Sequence, residues 1–197
     1  MTDRRTQLLA AACRVIARRG VRGLRVDEVA AQAGVSTALI YHHFRNRTGL
    51  VTSTMHYITD RLAREAERAD GPTGEDGEDG ADGRRRLVRR MIAEFADDAQ
   101  TRENSVVWGE VRGAALFDEE LRPIVNEASE HWIGQLAELI AAGRRDGSIT
   151  GAAEPRSVAV RLIAMVEGLS NFWLAGALTT EEARAHIVAT VRAELPE

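Results

Sequence analysis

Helical spacing dominates this chain. Apolar residues recur three and four positions apart almost throughout, no stretch alternates with a period of two, and proline stands only at positions 72, 123, 155 and 196. A chain patterned this way packs helix on helix. The pattern predicts helices at about 3–19, 26–33, 37–43, 47–69, 84–99, 103–116, 118–145, 155–177 and 180–195, an all-α chain of about nine helices. In the first, Leu8, Leu9, Ala12, Val15 and Ile16 form one stripe, Arg18 and Arg19 suit the negative end of the helix dipole, and Gly20 is placed to stop it.

Charge is segregated. The 197 residues carry a net charge of −4, and every one of the 26 basic residues is arginine. Residues 1–60 hold nine Arg and four acids, whereas 61–83 hold three and eight, and 84–197 hold fourteen and eighteen. The basic N-terminal third on an acidic chain is the asymmetry expected when one part meets a polyanion.

Several classes are excluded. A single cysteine, Cys13, makes neither an internal disulfide nor a thiolate zinc cluster. Glu127 and His131, one helical turn apart, fit a metal pair or a solvated helix face, and no metal or cofactor is expected. There is no phosphate-cradling glycine loop, no G-x-S-x-G and no H-E-x-x-H, so the chain is not expected to be an enzyme. The N-terminus lacks an apolar run of signal-peptide type, and no run of about 18 residues is apolar and free of charge. The expectation is a cytoplasmic protein with no membrane partner.

Residues 70–83, DGPTGEDGEDGADG, place glycine at every third position with acids between, and are expected to form a disordered acidic linker. The segment 157–177 has only Arg161 and Glu167 as charges, with Val158, Leu162, Met165, Val166, Leu169, Phe172 and Trp173 on one stripe and Val160, Ile163, Leu174 and Leu178 off it. A helix so apolar is covered on more than one side. It is either the central helix of its own core or part of an interface with a second copy. The interface reading takes Val158, Leu162, Met165, Val166 and Leu169 together with Ile187 and Val191 of the last helix as a four-helix dimer contact.

The most informative block is Gly23 to Leu50, GLRVDEVAAQAGVSTALIYHHFRNRTGL. A short helix ends at Gly34, which suits a sharp turn, and Ser36 can cap the helix that follows. Two short helices about a glycine turn have helix-turn-helix geometry. Ala30, Val35, Leu39, Ile40 and Phe44 are expected to face inward. Ser36, Thr37, Tyr41 and His42 are expected to face out, with Arg45 and Arg47 just beyond.

This block resembles the DNA-binding domain of the TetR family of transcriptional regulators, through Val29-Ala30, Ala33-Gly34-Val35-Ser36, Tyr41-His42-His43-Phe44 and Arg47. It departs from the pattern at Arg25, where Ser or Thr is usual, at Ala38, where glycine is usual, and at Arg47, where lysine is usual. The resemblance implies a helix-turn-helix domain over 1–46 and a helical ligand-binding and dimerisation domain over 47–197. It assigns phosphate contacts to Arg25, the Ser36 region, Tyr41 and Arg47, and base contacts to Thr37, Ala38 and His42. Tyr41 is also a candidate for packing.

The segment WGEVRGAALFDEELRPIVNEASEHW is similar to the BetI-like branch of the same family. That resemblance implies a small-molecule effector, with Phe95, Trp108, Arg112, Phe117, Trp132, Asn171, Phe172 and Trp173 as candidate pocket residues. About half of these are expected to be core instead, and Asn171 is singled out because a buried amide needs partners. The implied function is a homodimeric repressor on a palindromic double-stranded DNA operator, released by a small molecule. An activator, or a regulator answering to a protein partner, has the same sequence features.

Overall fold

The structure, a computed structural model, describes residues 3–70 and 82–196. Among these residues there are nine α-helices and no strand. They are α1 (Arg4–Arg19), α2 (Val26–Ala33), α3 (Thr37–Phe44), α4 (Arg47–Asp70), α5 (Gly83–Ile92), α6 (Ala99–Ala115), α7 (Arg122–Arg145), α8 (Pro155–Leu174) and α9 (Thr180–Glu194). The expected acidic linker at 71–81 lies outside the described residues. Its expected ends do not: Asp70 closes α4, and Asp82 caps α5 by accepting the Arg85 amide at 2.7 Å.

Two boundaries differ from the sequence pattern. Leu87, Met91 and Phe95 keep four-residue spacing and are all buried, which extends the apparent helix to 99, yet α5 ends at Ile92. The chain turns, and Asp98 starts α6 early by accepting the amides of Gln100 and Thr101, each at 2.9 Å. Those bonds hold its carboxyl below the ordinary carboxylate range. α7 starts at Arg122 rather than 118, with Pro123 in its first turn, where no amide donor is missed.

The chain packs as two compact units, one of residues 1–64 and 103–128, the other of 65–102 and 129–197. The expected division into 1–46 and 47–197 is one of function. The packing units run differently, because α4, α6 and α7 each give residues to both.

In the first unit, α1 is the spine. Leu8, Leu9, Ala12, Val15 and Ile16 are buried against α2, α3, α4 and the second half of α6. Cys13 is buried there too, and burial pushes its thiol up to about 12.

In the second unit, α8 and α9 pack against each other and α5 packs on α9. Val158, Leu162, Val166 and Leu169 of α8 meet Ile187 and Val191 of α9 inside this core. All six were expected at a dimer contact; Val166 and Leu169 keep 3 % and 8 % of their surface exposed. Val158, Leu162, Ile187 and Val191 are 0 % exposed within a single chain, so no second copy can touch them. The core alternative describes that stripe. Met165 alone of the expected set reaches the surface, where Val160 and Phe172 join it. Among the described residues α8 is the one helix long and apolar enough, by length and composition, to cross a membrane; it carries Arg161 and Glu167, and its inner face is used in this core.

Candidate nucleic-acid interface

The connection from α2 to α3 is built from backbone bonds. Gly34 adopts φ 67°, ψ 40°, the left-handed region that glycine enters without a steric penalty. Its amide donates to the Ala31 carbonyl at 3.2 Å, and the Val35 amide donates to the Ala30 carbonyl at 3.0 Å. This paired pattern closes a helix C-terminus while sealing an apolar contact across it, and Val35 duly packs on the core with Ala30. Ser36 then caps α3, its hydroxyl accepting the Leu39 amide at 3.4 Å.

Helix α3 is two-sided. Ile40 and Phe44 are buried, and Leu39 is half-buried. Ser36, Thr37, Ala38, Tyr41 and His42 are exposed on the other side, with Tyr41 at 51 %. Arg25 precedes α2, exposed and making no side-chain cap, and lies 3.7 Å from Asp27. Six of the seven residues expected at DNA thus present their side chains to solvent from one short stretch of chain.

The seventh, Arg47, is turned inward. Its guanidinium donates to the Leu24 carbonyl at 3.1 Å and to the Val21 carbonyl. Arg47, expected at a phosphate, here clamps the α1–α2 connection. The cause is the position of Arg47 at the first residue of α4, beside carbonyls that no helix satisfies.

Arg45 takes the outer position instead. It is the sole non-glycine residue with positive φ among the described residues, at φ 62°, ψ −51°. The Asn46 amide donates to the Phe44 carbonyl at 2.7 Å across it, forming a tight γ-turn. Asn46 then starts α4 by accepting the Gly49 amide at 2.7 Å. The turn leaves the Arg45 side chain exposed at the end of α3. Sequence reading placed Arg45 near the phosphates, but only this backbone sets it apart from Arg47.

The α1–α2 connection is also held from α6. The Val21 amide donates to a Glu110 carboxylate oxygen at 3.2 Å. Gly20 makes that approach possible: a Cβ there would lie 2.5 Å from the same oxygen, and its φ of 71° is disfavoured for other residues. Nearby, the Thr48 hydroxyl donates to Glu120 at 2.9 Å, and the Arg22 guanidinium stands 5.4 Å over the Phe117 ring.

The expected pocket residues are divided between the two units, Trp108, Arg112 and Phe117 in the first and the other five in the second. Phe95 and Trp173 are buried and meet edge to face at 5.7 Å, with the Trp173 indole N–H donating to Thr180 at 3.0 Å. Arg102 stands 4.4 Å over the Trp173 ring and is held by Asp97 at 2.7 Å. Trp132 is half-buried against the same core, and its indole nitrogen has no partner among the described residues. Trp108 packs on the core of the first unit, and Arg112 is half-buried there. Phe117 and Phe172 are exposed, at 77 % and 59 %. Asn171, expected to be a buried amide, is exposed and donates to the Glu167 carbonyl of its own helix at 3.1 Å.

Comparison with known proteins bears on this geometry. Residues 8–54 match the family described as bacterial regulatory proteins, tetR family. Residues 83–196 match the C-terminal domain of BetI-type transcriptional repressors. The chain is 29% identical over 179 residues to the HTH-type transcriptional regulator TtgR of Pseudomonas putida, covering 87% of this chain and 80% of that protein. A solved TetR-family transcriptional regulator from Rhodococcus sp. superposes with a TM-score of 0.89 at 36% identity, covering 99% of this chain and 100% of the other. A transcriptional regulator from Saccharomonospora viridis, solved in complex with choline, shares the fold with a TM-score of 0.83 at 24% identity, covering 98% and 97%.

Proposed function

Because the chain belongs to the TetR family of bacterial regulatory proteins, with a BetI-type C-terminal domain, we propose that it is a cytoplasmic homodimeric repressor, bound to a two-fold-symmetric operator and released by a small molecule. The carrying observation is the exposed face of α3, set on a helix whose other face is buried. Thr37, Ala38 and His42 contact base edges, where Thr37 and Ala38 can meet a thymine methyl. Arg25, Tyr41, Arg45 and the start of α3 at Ser36 contact phosphates, which position the helix without specifying sequence.

A second copy covers the outer face of α8, where Val160, Met165 and Phe172 are exposed large apolar residues on one helix. Two copies related by a two-fold axis present two α3 helices to two half-sites. The effector acts by binding a dimer that fits the operator poorly better than one that fits it well, since a ligand without that preference shifts nothing. The Saccharomonospora neighbour's choline supports a small organic molecule as the class. Phe95, Trp108, Arg112, Trp132 and Trp173 remain the residues proposed to respond to it.

Selection of the full-length protein against random double-stranded DNA at physiological salt tests this reading. Enrichment of an inverted repeat is expected. No enrichment, from protein as purified and again after unfolding and refolding to strip any bound effector, overturns it.

A further inference from the structure

Helix α5 reads GRRRLVRRMI, five arginines and no acid in ten residues of a chain whose net charge is −4. Two of the five are tied down: Arg84 donates to the Leu195 carbonyl at 2.6 Å, and Arg90 pairs with Glu94 at 2.8 Å. Arg85 lies 3.7 Å from the capping Asp82. Arg89 is exposed and has no ion pair among the described residues. On α9, Arg192 is exposed and likewise has none.

These side chains converge. A groove of about 630 Å³ runs between α5 and α9, lined by Arg84, Arg85, Arg89 and Arg192, with Val88 and Val188 supplying apolar surface. Gly147 and Ser148, in the turn after α7, line it as well. Asp82 is the one acid in the lining.

We propose that this groove binds a small molecule carrying two or more anionic groups, phosphates or carboxylates, on a short carbon or phosphate skeleton. Arginine stays charged under all physiological conditions, and the two exposed guanidinium groups of the lining, Arg89 and Arg192, make no ion pair among the described residues, so an anion in the groove gains charge-assisted bonds from both. Their planar donor pairs match phosphate and carboxylate oxygens. The volume is that of a small-ligand site. The two half-buried valines suit the part of the ligand between its charges. The groove is lined from α5, α9 and the turn after α7, and none of its lining residues lies on α8, which carries the face proposed for a second copy.

The test is calorimetric titration of the full-length protein with pyrophosphate and, separately, with citrate, at constant ionic strength. Saturable binding of one probe per chain is expected, and the better of the two tells phosphate from carboxylate chemistry. The double variant Arg89→Gln, Arg192→Gln is expected to bind at least about tenfold more weakly, with an unchanged melting temperature in the absence of probe. Equal binding by the double variant, or no saturation by either probe, overturns the proposal. A third variant neutralises Glu75, Asp76, Glu78 and Asp79. If the probes bind only to that variant, the groove serves the chain's own acids, and the proposal is again overturned. Operator binding is not needed for any of these readouts, so the outcome is separate from that of the repressor reading.

Discussion

Glu110 and Arg47 hold opposite poles of one residue: the Val21 amide donates to the Glu110 carboxylate, and the Val21 carbonyl accepts from the Arg47 guanidinium. One side chain comes from α6 and the other from the start of α4. The α1–α2 connection is therefore fixed by charge-assisted bonds from both sides, and this connection sets where α2 and α3 begin.

Arg47→Ala takes the guanidinium donor from the Leu24 carbonyl and leaves the Val21 carbonyl with the Leu24 amide, which donates to it at 3.1 Å. A loss of about 2–3 kcal/mol of stability is expected, read in urea unfolding. A phosphate contact would behave otherwise, lowering the salt slope of DNA binding by about one with stability intact. An unchanged urea midpoint would rule out the clamp.

Arg45→Gly removes a side chain held at positive φ. Release of backbone strain of about 1 kcal/mol should raise the melting temperature by about 2–4 °C. DNA affinity should fall at the same time, and the salt slope should lose about one unit. Gain of stability with full DNA affinity would leave the turn strained but remove Arg45 from the interface.

Phe172→Glu and Met165→Glu put charge on the exposed face of α8. Both are expected to give folded monomers by sedimentation, with native circular dichroism. Leu162→Arg, at a site 0 % exposed in the single chain, should instead unfold the second unit. A dimeric Phe172→Glu protein would move the contact elsewhere.

Acid should weaken the second unit through a set of hydrogen-bonded and ion-paired carboxylates. Asp146 is held below its ordinary range by the Ser148 side chain and by the Gly83 amide, which donates to it at 2.8 Å. Glu154 is lowered by the amides of Arg156 and Ser157, Glu182 by Thr179, and Glu194 by Arg161. Each binds a proton more readily when unfolded, so its stabilisation is complete at neutral pH and is lost as pH falls through and below the ordinary carboxylate range. Thermal melts should be flat from neutrality to about pH 5 and then decline. Asp146→Asn should lower the melt at neutral pH and converge with the parent in acid. A constant difference at every pH would mean that the carboxylate's charge plays no part.

The helix-turn-helix was legible because its punctuation is local. Gly34 marks the turn, Ser36 the cap, and the burial of Ile40 and Phe44 follows from their spacing. The direction in which Arg47 points was not legible, since a guanidinium after α3 can reach a phosphate or a carbonyl, and only the placement of Val21 and Leu24 decides. On α8 the apolar stripe was legible, but not which of its faces the chain's own core takes. Apolar residues ring most of the helix, and periodicity does not say which face meets its own chain. Asn171 illustrates the same gap, being surrounded by apolar residues in sequence and by solvent in space. The break before α6 was hidden because Phe95 continues the spacing of Leu87 and Met91 while lying beyond the helix end.

The α2–α3 turn has a consequence for how such a chain can diverge. Its closing bonds run from the amides of Gly34 and Val35 to the carbonyls of Ala31 and Ala30, so the turn that seats α3 is closed without the side chains at 37, 38, 41 and 42. Those four positions are free to change while the scaffold beneath them stays constant. A duplicated copy could acquire a new DNA preference by substitutions on that face alone, without passing through an unfolded intermediate in its evolution.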